Sequence, residues 1–200
     1  MKEHQGILYA RVTEVLQPFA DFSHIDPEVL KNKQRIGTNV HMAIADDIEG
    51  ECPILKDDER GYFRSYQIWR NYLEVKFIAS EQRYYNKEKR LTGQIDSLIL
   101  PPGDTLPVLV DFKTSAIESK LSWTLQAHLY AYLIKSEGKS IANTYLFVKL
   151  DKKGDVPQVF QYKFDQNTMN RALLAVDEFW QNKEKEEKEK KVIVVNYPFR

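Results

Sequence analysis

Two stretches decide the fold: Gly93-Gln94-Ile95-Asp96 and Val108-Leu109-Val110-Asp111-Phe112-Lys113. Pro101-Pro102-Gly103-Asp104 between them is a turn signal, so Leu91 to Leu100 and Leu106 to Thr114 read as two strands joined by a hairpin. Val108-Leu109-Val110 is wholly apolar, as in a central strand buried on both faces. Residues two apart on a strand point to the same face. Asp111 and Lys113 therefore project together, while Phe112 turns into the opposite layer. Asp96, on the preceding strand, can lie beside Asp111. Charged residues at the end of a core strand require partners or a function.

Before these strands, Glu81 to Tyr85 is extended and Asn86 to Arg90 is a polar turn. After Thr114 the spacing predicts a helix from Leu121 to Lys135, ending before Gly138. Strands Asn143 to Leu150 and Val156 to Phe164 then flank the turn Lys152-Lys153-Gly154-Asp155. The first part reads as helical. Thr13 caps a short helix stopped by Pro18, and Asp26-Pro27-Glu28 opens a second toward Gln34. Gly37-Thr38 breaks the chain, and a third helix carries Val40, Ile44 and Ile48 on one face, with His41 beside them. A fourth runs from Asp57 or Asp58 to about Ala79, with Tyr62, Tyr66, Trp69, Leu73 and Phe77 as a core stripe. Leu173, Leu174, Val176, Phe179 and Trp180 begin a last helix, whose Lys183 to Lys191 lysine–glutamate end is solvated.

This order predicts an α/β fold, a central mixed sheet flanked by helices. A single domain, 1–200, is expected: a helical part over about 10–80, a motif-bearing core over about 81–165, and a C-terminal helix over about 166–191. No internal repeat interrupts it.

Composition narrows the function. Among 200 residues, Lys plus Arg and Asp plus Glu each total 29, so the net charge is zero. Any phosphate-binding surface must be a local patch, not the basic whole of many nucleic-acid binders. The single cysteine, Cys52, excludes an intrachain disulfide, a four-cysteine zinc site and a cysteine-held iron–sulfur cluster. No apolar run is long enough to span a membrane. The polar start, Met1 to Gly6, has no signal-peptide stretch, and a cytoplasmic protein is expected.

Asp96 and Asp111 side by side repel unless a cation lies between them. Hard oxygen ligands with open positions suit Mg²⁺ or Mn²⁺. A neighbouring lysine can make the cluster tolerable and can orient or deprotonate a water.

These residues resemble the motifs of the PD-(D/E)xK nuclease superfamily, with Asp111-Phe112-Lys113-Thr114 as its third motif. Gln126 and Tyr130 in Leu125-Gln126-Ala127-His128-Leu129-Tyr130 match the Gln-x-x-x-Tyr motif of the RecB-like, phage-type exonuclease branch. Gly37-Thr38-Asn39-Val40-His41 looks like that branch's N-terminal helix motif. The motifs come in the family order.

The resemblance implies a restriction-endonuclease-like core and Mg²⁺- or Mn²⁺-dependent hydrolysis of DNA phosphodiesters. Asp96, Asp111 and the Phe112 carbonyl would hold the metal, with His41 as a further ligand. Lys113 would position the attacking water, and Gln126 and Tyr130 would fix Lys113 or a DNA phosphate. The expected activity is that of an exonuclease in recombination, repair or phage DNA processing. The alternatives are an endonuclease of the same fold and an inactive DNA-binding module. DNA is the expected partner, with no membrane; a homo-oligomer and a recombination partner protein are compatible with this reading.

Other residues are left with two readings. Glu49, Glu51 and Glu81 are candidate extra carboxylates without compelling spacing, although Glu81 resembles a glutamate common in that branch. Tyr84, Tyr85 and Trp123 are read as core rather than base-stacking residues. Lys87, Lys89 and Arg90 form a basic turn, for phosphate contact or for solvent.

Overall fold

In the computed structural model, which describes residues 1–20, 25–115 and 119–195, the chain starts with a tight hairpin. Gln5 (φ 49°) and Gly6 (φ 73°) are both left-handed and turn strand β1 (Lys2–His4) into antiparallel β2 (Ile7–Arg11). One helical turn, α1 (Val12–Val15), follows, capped from Arg11 and not from Thr13. Helix α2 (Pro27–Glu49) opens as expected: Asp26 accepts the Glu28 and Val29 N–H groups at 2.8 and 3.2 Å, with Pro27 in the first turn.

Helix α2 runs straight through Gly37-Thr38, where a break is expected from the sequence. Gly37 serves close approach instead: a Cβ there would lie 3.2 Å from Thr114 Oγ1. Helix α3 (Asp57–Leu73) also departs from the spacing. Glu74 turns left-handed (φ 46°), and the next segment forms strand β3 (Lys76–Ser80) instead of more helix. Phe77, counted in the helical stripe, sits opposite Ile99 in a sheet.

Strand β4 (Arg83–Asn86) starts two residues later than the expected Glu81, which is left-handed (φ 48°). The expected strand from Leu91 to Leu100 is two strands, β5 (Leu91–Gln94) and β6 (Ser97–Leu100), broken at Ile95-Asp96. The break sends the halves into different sheets. Strand β7 (Val108–Lys113), helix α4 (Lys120–Ser136) and strands β8 (Thr144–Lys149) and β9 (Gln158–Lys163) follow. The last element among the described residues is helix α5 (Gln166–Val195).

Among the described residues one sheet has the order β1-β2-β5-β4 and the other β3-β6-β7-β8-β9. Both are mixed. The β7–β8 pair is parallel, which requires a crossover, and α4 supplies it. The predicted mixed α/β architecture with flanking helices is therefore the one present. No described helix is long and apolar enough to cross a membrane.

Strand β7 separates two apolar cores. Val108, Val110 and Phe112 join the residues of α2 and α3, including Val40, Ile44, Tyr66 and Trp69. Leu109 faces the other core with α4 and the first turns of α5. The alternation puts Asp111 and Lys113 on the α4 side. Phe112 stands edge-on to Tyr66 and Trp69, ring centroids 5.4 Å away in each case. Phe112→Ala is expected to cost about 3–5 kcal/mol of stability, measurable as a lower urea midpoint. A change within about 0.5 kcal/mol, the usual range for a surface position, would contradict this packing.

Candidate active site

The peptide unit of Phe112 is the pivot of the site. Its N–H donates to Asp96 Oδ2 at 2.7 Å, and its carbonyl accepts from His41 Nε2 at 2.9 Å. A carbonyl only accepts, so Nε2 carries the proton. His41 Nδ1 then faces Asp96 Oδ1 at 3.3 Å and Glu81 Oε1 at 4.0 Å. Asp96 reaches this position because it lies in the break between β5 and β6, not within a strand as expected. The close α2–β7 approach at Gly37 sets His41 over the end of β7.

On the α4 side Lys113 Nζ lies 2.6 Å from Asp111 Oδ2 and donates to Gln126 Oε1 at 2.9 Å. Gln126 Nε2 in turn donates to the Tyr130 hydroxyl at 3.0 Å. The Lys113 ammonium also lies 5.9 and 5.5 Å from the rings of Trp123 and Phe147. Asp111 Oδ2 is buried and has the ion contact to Lys113 but no aligned hydrogen bond. Helix α4 can come this close because Gly93 has no side chain: a Cβ there would lie 2.7 Å from Tyr130 Cε1 and 2.9 Å from Leu133 Cδ1.

Burial and mutual charge control protonation. Burial lowers the His41 pKa, but Asp96, Asp111 and Glu81 outweigh it and hold the imidazole at about 9. Burial raises Asp96, yet the His41 and Lys113 charges bring it below the usual carboxylate value. Asp111 is pushed up to about 6 by burial, against Lys113 and with the help of Asp96. Burial and the Asp96 charge raise Glu81. Tyr130 is raised by burial and then by Asp111 and Asp96, so its hydroxyl stays neutral.

The structure thus gathers His41, Asp96, Asp111, Lys113, Gln126, Tyr130 and the Phe112 carbonyl. It adds Glu81. Ligand atoms of His41, Glu81 and Asp96 all lie within 4.8 Å of one another, a group that could hold a metal ion. Asp111 is not in that group, because its carboxylate turns toward Lys113. Glu49 and Glu51 are exposed and outside it. The signal for Glu81 is weak in sequence, since its placement depends on a left-handed residue (φ 48°) between β3 and β4.

The remaining candidates are used in packing. Tyr84 is fully buried, Tyr85 stacks on His4 at 4.1 Å, and Trp123 stacks on Phe147 at 5.4 Å. Lys89 pairs with Asp177 at 2.7 Å. Arg90 lies 3.8 Å over the Trp180 ring and 3.4 Å from Glu184. These contacts staple the basic turn to α5. Lys87 is exposed.

Residues 12–194 match the family model of the PD-(D/E)XK nuclease superfamily. No curated protein matches the chain significantly. The chain is similar to the crystal structure of an alkaline exonuclease from Laribacter hongkongensis, with a TM-score of 0.54 at 12% identity, over 94% of this chain and 93% of that one. It is also similar to a candidate exonuclease from Eubacterium rectale, with a TM-score of 0.52 at 12% identity, over 87% of this chain and 79% of that one. At such identities these likenesses show the fold.

Proposed function

The chain belongs to the PD-(D/E)XK nuclease superfamily, and from that premise we propose that it is a divalent-metal-dependent deoxyribonuclease acting from DNA ends. The observation that carries this reading is the assembly of His41, Glu81, Asp96, Asp111 and Lys113 around the Phe112 peptide. Two structural neighbours named as exonucleases support the end-directed form.

The donor set fits a hard divalent cation. Two carboxylates and an imidazole converge, with ligand atoms within 4.8 Å of one another. His41, Glu81 and Asp96 would hold Mg²⁺ or Mn²⁺, with Asp111 and the Phe112 carbonyl next to them. When bound, the cation supplies Lewis-acid stabilisation of charge developing on the scissile phosphate. The protein's own groups do the rest. Asp111 and Gln126 hold the Lys113 ammonium where it can orient a water against the phosphate. The Lys113 ammonium, which only donates, turns the Gln126 oxygen toward itself, and the neutral Tyr130 hydroxyl accepts from the amide nitrogen. Buried apolar rings on the Lys113 side keep bulk water from its stem.

End-labelled linear DNA and closed circular DNA, each with Mg²⁺, Mn²⁺ or chelator, test the reading. Loss of label from linear DNA only, abolished by chelator, is expected. Cutting of the circle would make the chain an endonuclease. Absence of cleavage of both forms with either metal would overturn the nuclease reading.

A further inference from the structure

We propose that Arg83 and Gln94 form a positioning relay that aims the Glu81 carboxylate at the metal-binding group. The inference rests on the assignment of Glu81 to that group. Arg83 and Gln94 sit opposite each other in the β4–β5 register. The Arg83 guanidinium donates to Gln94 Oε1, and Gln94 Nε2 donates to Glu81 Oε2 at 2.5 Å.

The orientation of the amide is dictated by its neighbours. A guanidinium only donates and a carboxylate only accepts. The Gln94 oxygen must therefore face Arg83 and its nitrogen must face Glu81; a flipped amide would set donor against donor and acceptor against acceptor. One oxygen of Glu81 is engaged in this way. The other, Oε1, is turned toward His41 Nδ1 at 4.0 Å.

The backbone is fixed to the same end. Glu81 is a non-glycine residue at φ 48°, a conformation that needs support from its surroundings. Its N–H donates to the Asp96 carbonyl at 3.0 Å, and the Ile95 N–H donates to the Gln82 carbonyl at 3.0 Å. Two carboxylates that repel each other, Glu81 and Asp96, are thereby held face to face. An arginine directly on Glu81 would compete with a cation for the carboxylate. The interposed amide steadies one oxygen and leaves the other available. Partners of this kind commonly alter metal affinity by about 10- to 100-fold.

The test is calorimetric titration of the full chain with Mn²⁺ in the absence of DNA, with melting curves as a check on folding. Gln94→Leu keeps the bulk and removes both hydrogen bonds; it should weaken Mn²⁺ binding by about 10- to 100-fold. In the Glu81→Gln background the same substitution should have no further effect, because Gln94 acts through Glu81. Arg83→Met leaves Gln94 bonded to Glu81 but removes the contact that anchors its amide oxygen. It should weaken Mn²⁺ binding in the same direction, again only when Glu81 is present, and it serves if Gln94→Leu does not fold. If Glu81→Gln weakens binding while Gln94→Leu and Arg83→Met do not, the relay is wrong and the metal assignment stands. Equal weakening by Gln94→Leu with and without Glu81 also overturns the relay. Undiminished binding in Glu81→Gln removes Glu81 from the metal group, and the relay falls with it.

Discussion

Lys113→Ala is expected to lower the rate of DNA cleavage by about 10²- to 10⁴-fold, the range associated with a positioned proton-transfer group. DNA binding, measured with Ca²⁺ in place of Mg²⁺, should be nearly unchanged, because the ammonium contributes to the transition state more than to the bound ground state. The geometry explains this division. The ammonium is held by Asp111 Oδ2 at 2.6 Å and Gln126 Oε1 at 2.9 Å, with Trp123 and Phe147 beside it. It is set for one task and is not a mobile surface cation. Lys113→Arg should not rescue the rate, since the planar guanidinium is larger and stays protonated. Lys113→Met, which keeps the apolar stem between the rings, separates lost chemistry from lost packing; it should be as slow as the alanine variant. Cleavage near the wild-type rate in Lys113→Ala and Lys113→Met would remove lysine from the mechanism.

The second large effect is expected at Asp96. Asp96→Asn keeps an oxygen that can accept from the Phe112 N–H, so the β7 end should stay in place. It removes the negative charge that faces His41 and would hold the cation. Loss of Lewis-acid stabilisation worth several kcal/mol corresponds to at least about a 10³-fold slower cleavage. Mn²⁺ binding should fall with it. Asp111→Asn should also abolish cleavage, yet leave the metal-free protein as stable as before or more so. The cluster holds three carboxylates, Glu81, Asp96 and Asp111, against Lys113 and His41. Removing one carboxylate balances it, and Asp111 is the one that burial most clearly pushes toward its neutral form. Calorimetry on the Asp96→Asn/Asp111→Asn double variant gives a clear decision. Undiminished Mn²⁺ binding there would locate the metal elsewhere.

Much of the site is legible in the amino-acid order because it depends on local periodicity. The alternation along β7 puts Asp111 and Lys113 on one face and Phe112 on the other, and a strand repeats every two residues wherever it is placed. Gln126 and Tyr130 are four apart on a helix, and this alone makes them neighbours. The cap at Asp26-Pro27 is set within four residues. His41 can be placed on a helix next to an apolar stripe, but its partners across the gap, the Phe112 carbonyl and Asp96, are far away in the chain.

The differences share a physical cause. Helical spacing of apolar residues carries the expected α3 through Phe77, although the chain turns at Glu74 and pairs Phe77 with Ile99. Gly37-Thr38 resembles a break because glycine has two uses, and only the neighbouring Thr114 shows which one applies. The run Leu91 to Leu100 is uniformly strand-like, yet it divides at Asp96 between two sheets. The basic turn at Lys89-Arg90 reads as either phosphate-contacting or solvated, whereas Asp177, Trp180 and Glu184 of α5 engage both side chains.

Residue order along the chain sets the order of elements around β7, the face on which Asp111 and Lys113 lie, and the helix spacing of Gln126 with Tyr130. Contacts between distant segments set Asp96 in a break, join Glu81 to His41 and Asp96, and stand Gln94 and Arg83 behind Glu81. Periodicity is a property of neighbouring residues along the chain. Left-handed turns such as Glu81, and hydrogen bonds between residues far apart such as His41 and Phe112, take their energy from partners that only the folded chain brings within reach.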